Sequence, residues 1–334
     1  MHAIRQHEYG GPDVLQVEQL PDLQPAAGQV RIAVQAAGVH LLDTTLREGA
    51  EGPIPPRPPP YVPGREVAGV VDAVAGDIDP SWLGRAVVAH LGMAHGGYAT
   101  QALAAVEALI PLAETTSPSQ AVAMVGTGRT ALGILAEAQL EADDVVLIPA
   151  AAGGLGMLLV QAAHHAGATV VALAGGPAKV ALVEQLGAAI AIDYVSADWP
   201  EQVAVRLGER RVTVVLDGVG DTVGRTAFEL LAPGGRVVLF GYTAGSPTEF
   251  TAAELMSRGL SASSALGQRM VARPGGIHAL AVAAVAELEA GRLVPGVTEF
   301  ALADAARSHT ALAERATTGK VVLLAEPGTA TLGG

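Results

Sequence analysis

Val145-Val-Leu-Ile-Pro-Ala-Ala-Ala-Gly-Gly-Leu-Gly156 decides how the rest of the chain is read. Four apolar residues lead through Pro149 into the small-residue turn Ala151-Ala-Gly-Gly-Leu-Gly156. There Ala151, Gly153 and Gly156 fill the three small-residue slots of a dinucleotide fingerprint. Small residues let such a turn reach a pyrophosphate and let the next helix pack closely on the strand. The free N–H groups and positive partial charge of the helix N-terminus complete an anion site. Leu155, Leu158, Leu159, Ala162, Ala163 and Ala166 follow at helical spacing, and Thr169–Leu173 returns to strand character. The pattern alone fits a purely structural turn as well. Its place after a strand and at the opening of a helix favours nucleotide binding.

The surrounding stretch, 145–176, is almost free of charge and long enough to span a membrane. Pro149, Gly153, Gly154, Gly156 and Gly167 break it up, and His164-His165 falls in its middle, which suits a buried βαβ unit better. Downstream the alternation continues. Strands are expected at Ala189–Ile192, Val212–Leu216, Arg236–Phe240 and Leu260–Ser264. One helix should start at Pro177 and stop at Gly187, and another should be capped by Asp221 and end before Pro233-Gly234. Six strands with helical crossovers predict an α/β fold with a doubly wound, parallel six-stranded sheet.

Upstream, residues 1 to about 120 read as β structure, with short strands such as Gln29–Gln35 and Glu66–Asp72 separated by Gly and Pro. Seven prolines between Pro53 and Pro63 mark a stiff surface loop, with a polyproline ligand as the alternative. After an Ala-rich helix over 276–290, the tail 319–324 regains strand character. It is expected to rejoin the β-rich first domain.

Composition narrows the function. Of 334 residues, 50% are hydrophobic and 16% charged, which excludes a disordered chain. The net charge of −13 argues against nucleic acid or an anionic membrane as partner. With no cysteine, thiolate zinc sites, iron–sulfur clusters and cysteine nucleophiles are excluded. The first residues lack the apolar core of a signal peptide, so a cytoplasmic location is expected. The second strand of the βαβ unit ends in Leu173-Ala-Gly-Gly-Pro177, without the acid that binds an adenosine ribose in NAD enzymes, and Lys179 follows. This reads as a preference for NADPH, with Lys179 pairing the 2′-phosphate; the alternative is a solvated helix lysine.

At this point the chain resembles the zinc-independent quinone oxidoreductases of the medium-chain dehydrogenase/reductase superfamily. The resemblance rests on Tyr9-Gly-Gly-Pro-Asp-Val-Leu15, Ala37-Gly-Val-His-Leu-Leu-Asp-Thr44, Pro63-Gly-Arg-Glu-Val-Ala-Gly69, Ala150–Gly156, Leu216-Asp-Gly-Val-Gly220, Gly234–Gly241 and His309 with Glu314–Lys320. It implies a GroES-like β domain (1–125 and 268–334), a Rossmann domain (126–267), a cleft between them and a homodimer joined by sheet edges. It places the 2′-phosphate on Lys179, Tyr194 and Arg315, and the pyrophosphate on Gly153, Leu155 and Gly156. The nicotinamide is expected near Phe240, Gly241 and Thr130.

Zinc-dependent relatives carry a Cys where this chain has His40, and a His where it has Arg65. The third region, Met124–Gly128, offers no ligand, so no metal is expected. His40, Thr45 and Arg65 are the expected pocket residues. The family's usual Asn is replaced by His40, and two pocket tyrosines by Thr45 and Glu51. His40 either donates a proton or only hydrogen-bonds, and the second is favoured because relatives work without a His there. Asp43 is expected to hold its loop. The expected activity is NADPH-dependent, metal-free hydride transfer to a small quinone or activated enone. Alternatives are an enoyl-thioester reductase and a nucleotide-binding protein with little turnover.

Overall fold

The computed structural model describes residues 1–52 and 54–325. Pro53, the first of the seven prolines, and residues 326–334 of the expected first domain lie outside the described residues. The chain forms two compact units, Gly128–Ala283 and Met1–Thr127 with Ala284–Gly334.

The unit Gly128–Ala283 holds strands β1 (Val145–Ile148), β2 (Thr169–Ala174), β3 (Ile190–Asp193), β4 (Val212–Asp217), β5 (Leu231–Leu239) and β6 (Ser261–Ser264). Their order is β3-β2-β1-β4-β5-β6, and every neighbouring pair is parallel. Helices α1 (Gly154–His165), α2 (Pro177–Gln185), α3 (Trp199–Leu207), α4 (Asp221–Glu229) and α5 (Ala252–Arg258) link them. A strand covered on both faces must be apolar throughout, and β1 is buried at all four positions. Strand order reverses between β1 and β4, which opens a crevice at the carboxyl ends of the strands.

Three expectations shift. Gly220, with φ 73°, caps α4 in place of Asp221, which becomes its first residue. A β-carbon on Gly220 would lie 2.2 Å from the Ser246 carbonyl oxygen, so this turn takes only glycine. Strand β5 begins at Leu231 rather than Arg236. Its register against β4 slips around Pro233-Gly234, where proline has no N–H to give the ladder. The division near the end of the unit lies at residue 283, not 268. Arg269 pairs with Glu137, and Met270 packs over Gly133, which fastens 268–271 to the helix Arg129–Ala138.

In the other unit, the strands run in the order Val297–Ala301, Lys320–Leu324, Gln29–Val39, Glu66–Val74, Ala86–His90 and Leu109–Pro111. Gln101–Ala105 also pairs with Gln29–Val39. The tail strand is antiparallel to Gln29–Val39 with Val321 opposite Val39, so residue 320 arrives beside residue 40. Ala37 lies opposite Val67 on the other side, which brings Glu66 to the same end of the sheet. Ile4, Val30, Ile32, Val67, Val87, Tyr98 and Leu323 fill the core. Among the described residues, no helix is long and apolar enough to cross a membrane.

Candidate active site

The turn after β1 is built from its backbone. Ala151 donates its N–H to the Leu173 carbonyl at 2.9 Å, tying the turn to β2. Gly153 is the extended N-cap of α1. A β-carbon on Gly156 would stand 2.5 Å from the Ala150 oxygen and 2.6 Å from Ala151 Cα, so glycine is required where helix meets strand. Leu155 lies in the first turn of α1, whose unpaired N–H groups can take an anion.

Lys179 stands in the first turn of α2, and Tyr194 follows β3, donating its N–H to the Ala174 carbonyl at 3.2 Å. Both therefore come to the carboxyl end of β2. Sequence reasoning passed over a carboxylate there: Asp193 Oδ1 accepts the N–H groups of Gly176 and Val195, each at 3.0 Å. Those two backbone hydrogen bonds hold the Asp193 carboxyl below its ordinary range. Phe240 and Gly241 follow β5, where Phe240 donates its N–H to the Asp217 carbonyl at 2.9 Å and its ring covers Gly218. Asp217 is fully buried and accepts from the N–H groups of Val219 and Gly220 and from the Thr248 hydroxyl. Thr130 lies in the helix Arg129–Ala138 of this unit; Arg315, with φ 56°, belongs to the other.

A charged cluster occupies the other unit. His40 Nε2 lies 2.5 Å from Glu66 Oε1, Lys320 Nζ lies 2.8 Å from Glu66 Oε2, and Lys320 Nζ lies 2.8 Å from His40 Nε2. The Glu66 side chain is 0% exposed, that of Lys320 4% and that of His40 26%, so His40 alone opens outward. Two glycines make room for the carboxylate. A β-carbon on Gly38 would lie 2.2 Å from Glu66 Oε2, and one on Gly126 would lie 1.5 Å from Glu66 Oε1. Gly126 sits in a π-helical turn, Met124–Gly128. Burial alone would raise the Glu66 carboxyl, but the charges of His40 and Lys320 outweigh it and hold the group well below the ordinary range. Burial also pushes the Lys320 ammonium down, and Glu66 only partly restores it.

Of the expected pocket residues, only His40 belongs to this cluster. Arg65 is close enough for its charge to act on Lys320, and its buried Nε has no hydrogen-bond partner. Thr45 is half-buried on the helix Leu41–Arg47. Asp43 anchors the start of that helix by accepting the His40 N–H at 2.8 Å. It also accepts from the Tyr98 hydroxyl at 3.1 Å, and that hydroxyl lies 3.1 Å from Nε2 of the buried His309. Arg47 closes the network 3.2 Å from His309 Nδ1. A surface depression of about 550 Å³ bordered by Pro12, Phe300, Arg307 and Ala316 holds none of these residues.

The donors present do not fit a catalytic zinc. His40 Nε2 faces an ammonium rather than open space, Arg65 adds a second cation, and Glu66 is already paired with Lys320. Among the described residues, no group of three or more His, Asp or Glu side chains could hold a metal ion.

Residues 26–149 match the alcohol dehydrogenase GroES-like domain, and residues 154–287 match the zinc-binding dehydrogenase domain. A quinone oxidoreductase of Pseudomonas aeruginosa is 32% identical over 95% of this chain and 97% of its own. A 2-haloacrylate reductase of a Burkholderia species is 30% identical over 95% of this chain and 97% of its own. The crystal structure of an Escherichia coli quinone oxidoreductase complexed with NADPH superimposes with a TM-score of 0.85. It is 27% identical and covers 97% of this chain and 100% of that one.

Proposed function

The chain belongs to the quinone oxidoreductase branch of the medium-chain dehydrogenase/reductase superfamily, and from there we propose that it is an NADPH-dependent reductase of quinones or activated enones. The observation that carries the cofactor reading is the glycine turn opening α1, together with Lys179 and Tyr194 at the carboxyl end of β2. Gly153, Leu155 and Gly156 bind the pyrophosphate, and Lys179 and Tyr194 bind the 2′-phosphate. Phe240, Gly241 and Thr130 border the nicotinamide. Asp193 leaves the phosphate role to these groups because it is engaged in shaping the turn.

Bound NADPH supplies a hydride, so the acceptor must be an electron-poor carbon whose reduction leaves a stabilised anion. Quinones and 2-haloacrylates, the compounds for which two relatives are named, share a carbonyl conjugated to an alkene. Without a metal, hydrogen bonds and nearby cations stabilise the developing oxyanion. His40, Arg65 and Thr45 are the side chains of this unit proposed for that role. We place the enzyme in solution as a homodimer joined through the outer strand Ser261–Ser264, which light scattering on the purified protein tests.

NADPH oxidation measured with a panel of quinones, enones, 2-haloacrylates and enoyl thioesters decides the activity. Turnover of the first three classes supports the proposal. Turnover confined to enoyl thioesters transfers it to that class. Tight NADPH binding with no turnover on the whole panel refutes a reductase.

A further inference from the structure

The cluster at the end of the β sheet contains one atom with two demands on it. His40 Nε2 has a single in-plane position for a hydrogen bond, yet it lies 2.5 Å from Glu66 Oε1 and 2.8 Å from Lys320 Nζ. With a proton on Nε2, the ring can turn to donate to Glu66 Oε1, which accepts no hydrogen bond as the side chains stand. Without one, the ring accepts from the Lys320 ammonium and carries its own proton on Nδ1. These two arrangements differ by the transfer of one proton from Lys320 to His40.

Resting on the reductase reading, we propose that His40 delivers the proton that accompanies the hydride, and that Lys320 recharges it with Glu66 as the fixed counter-charge. The atoms balance. The hydride from the dihydronicotinamide bonds to the electrophilic carbon, the π electron pair moves to the carbonyl oxygen, and the nicotinamide becomes the oxidised cation. As the Nδ1 proton of His40 passes to the resulting enolate or hydroquinone anion, Lys320 gives a proton to Nε2, so the ring stays neutral throughout. The new Nε2–H then turns to donate to Glu66 Oε1, and Lys320 is left as the neutral amine. Water returns a proton to the cluster before the next cycle.

Three observations support this order of roles. Of His40, Glu66 and Lys320, only His40 is exposed enough to meet a substrate. Lys320 is buried and its ammonium is held below the ordinary lysine range, so it gives up a proton more readily than a solvated lysine does. Glu66 is paired with the Lys320 ammonium at 2.8 Å and enclosed by Gly38 and Gly126, which keeps the counter-charge in place. Arg65, Asp43, His90 and Tyr98 are further charged or titratable groups coupled to the cluster. Lys320 is a positioning and proton-supplying residue in this scheme, since it acts through His40.

The test compares the wild type with Lys320→Met, Glu66→Gln/Lys320→Met and His40→Asn. The double variant keeps the buried charge balanced if the single one fails to fold. Three readouts are taken: NADPH dissociation constant, pH dependence of kcat with the best acceptor of the panel, and ¹⁵N-histidine spectra, with His40 assigned by its loss in His40→Asn. Losing the proton supply should lower kcat by about 10²-fold and move the alkaline limb of its pH profile, with NADPH affinity unchanged. Lys320→Met should also change the ¹⁵N signals of the His40 ring, because the donor 2.8 Å from Nε2 has gone. A folded variant whose kcat stays within a few-fold of wild type with the same pH profile overturns the relay, as do His40 ring signals indifferent to Lys320. Absence of wild-type turnover would instead indict the reductase reading, and the ¹⁵N spectra would still decide whether Lys320 acts on His40.

Discussion

Gly126 and Glu66 fit together only because position 126 has no side chain: a β-carbon there would lie 1.5 Å from Glu66 Oε1. Oxygen and carbon cannot share that space, and the carboxylate has Gly38 at its other oxygen, so it has nowhere to retreat. Gly126→Ala is therefore expected to destabilise the protein by about 1–3 kcal/mol, the usual range for overpacking a filled interior. Urea unfolding measures the effect, and an unchanged midpoint would mean that the turn at 124–128 yields easily.

Zinc content tests the reading of the same cluster from another side. An ammonium 2.8 Å from the only imidazole in the cluster repels a divalent cation. Elemental analysis of active enzyme is expected to find no stoichiometric zinc, and a chelator should leave NADPH oxidation unchanged. Activity that disappears with chelator and returns with zinc would contradict this.

Cofactor choice is expected to depend on Lys179. A charge-assisted hydrogen bond to a phosphate contributes roughly 1.5–3 kcal/mol, equivalent to about 10- to 150-fold in affinity, before solvent weakens it. Lys179→Ala should weaken NADPH binding by about 10-fold or more and leave NADH nearly unaffected. Added salt should shrink the difference. Titrating both nucleotides against both proteins measures it, and equal losses would reduce Lys179 to a surface lysine.

Acid stability should trace to His309. Burial, with Arg47 nearby, pushes its imidazole down to about 4, despite the opposing pull of Asp43. The unfolded chain, where histidine titrates near 6.5, thus binds a proton that the folded chain refuses. This contribution is complete above about pH 6.5, falls by about 1.4 kcal/mol per unit as the pH drops, and is exhausted near pH 4. The whole window is worth roughly 3 kcal/mol. Denaturant unfolding at several pH values should show a shallower acid slope for His309→Gln than for wild type, and parallel slopes would exclude His309 as the source.

The sequence by itself determined what depends on neighbours along the chain. Strand–turn–helix punctuation from Val145 onward foretold six strands and their crossovers, because helical and extended periodicities repeat within a dozen residues. Gly153 and Gly156 announced the tight turn that opens α1 for the same reason. Ends of elements were less legible: Gly220 displaced Asp221 as the cap because a distant carbonyl, that of Ser246, presses on the turn. The tertiary structure alone decided what His40 faces. Lys320 is 280 positions away and reads locally as the first residue of a tail strand, while Glu66 reads as the first residue of another. Their meeting is a matter of strand register, set by backbone hydrogen bonds between Lys320–Leu324, Gln29–Val39 and Glu66–Val74. Gly38 and Gly126 were the traces left in the sequence, but a glycine records only that something approaches closely, and the carboxylate that approaches is fixed by the folded sheet.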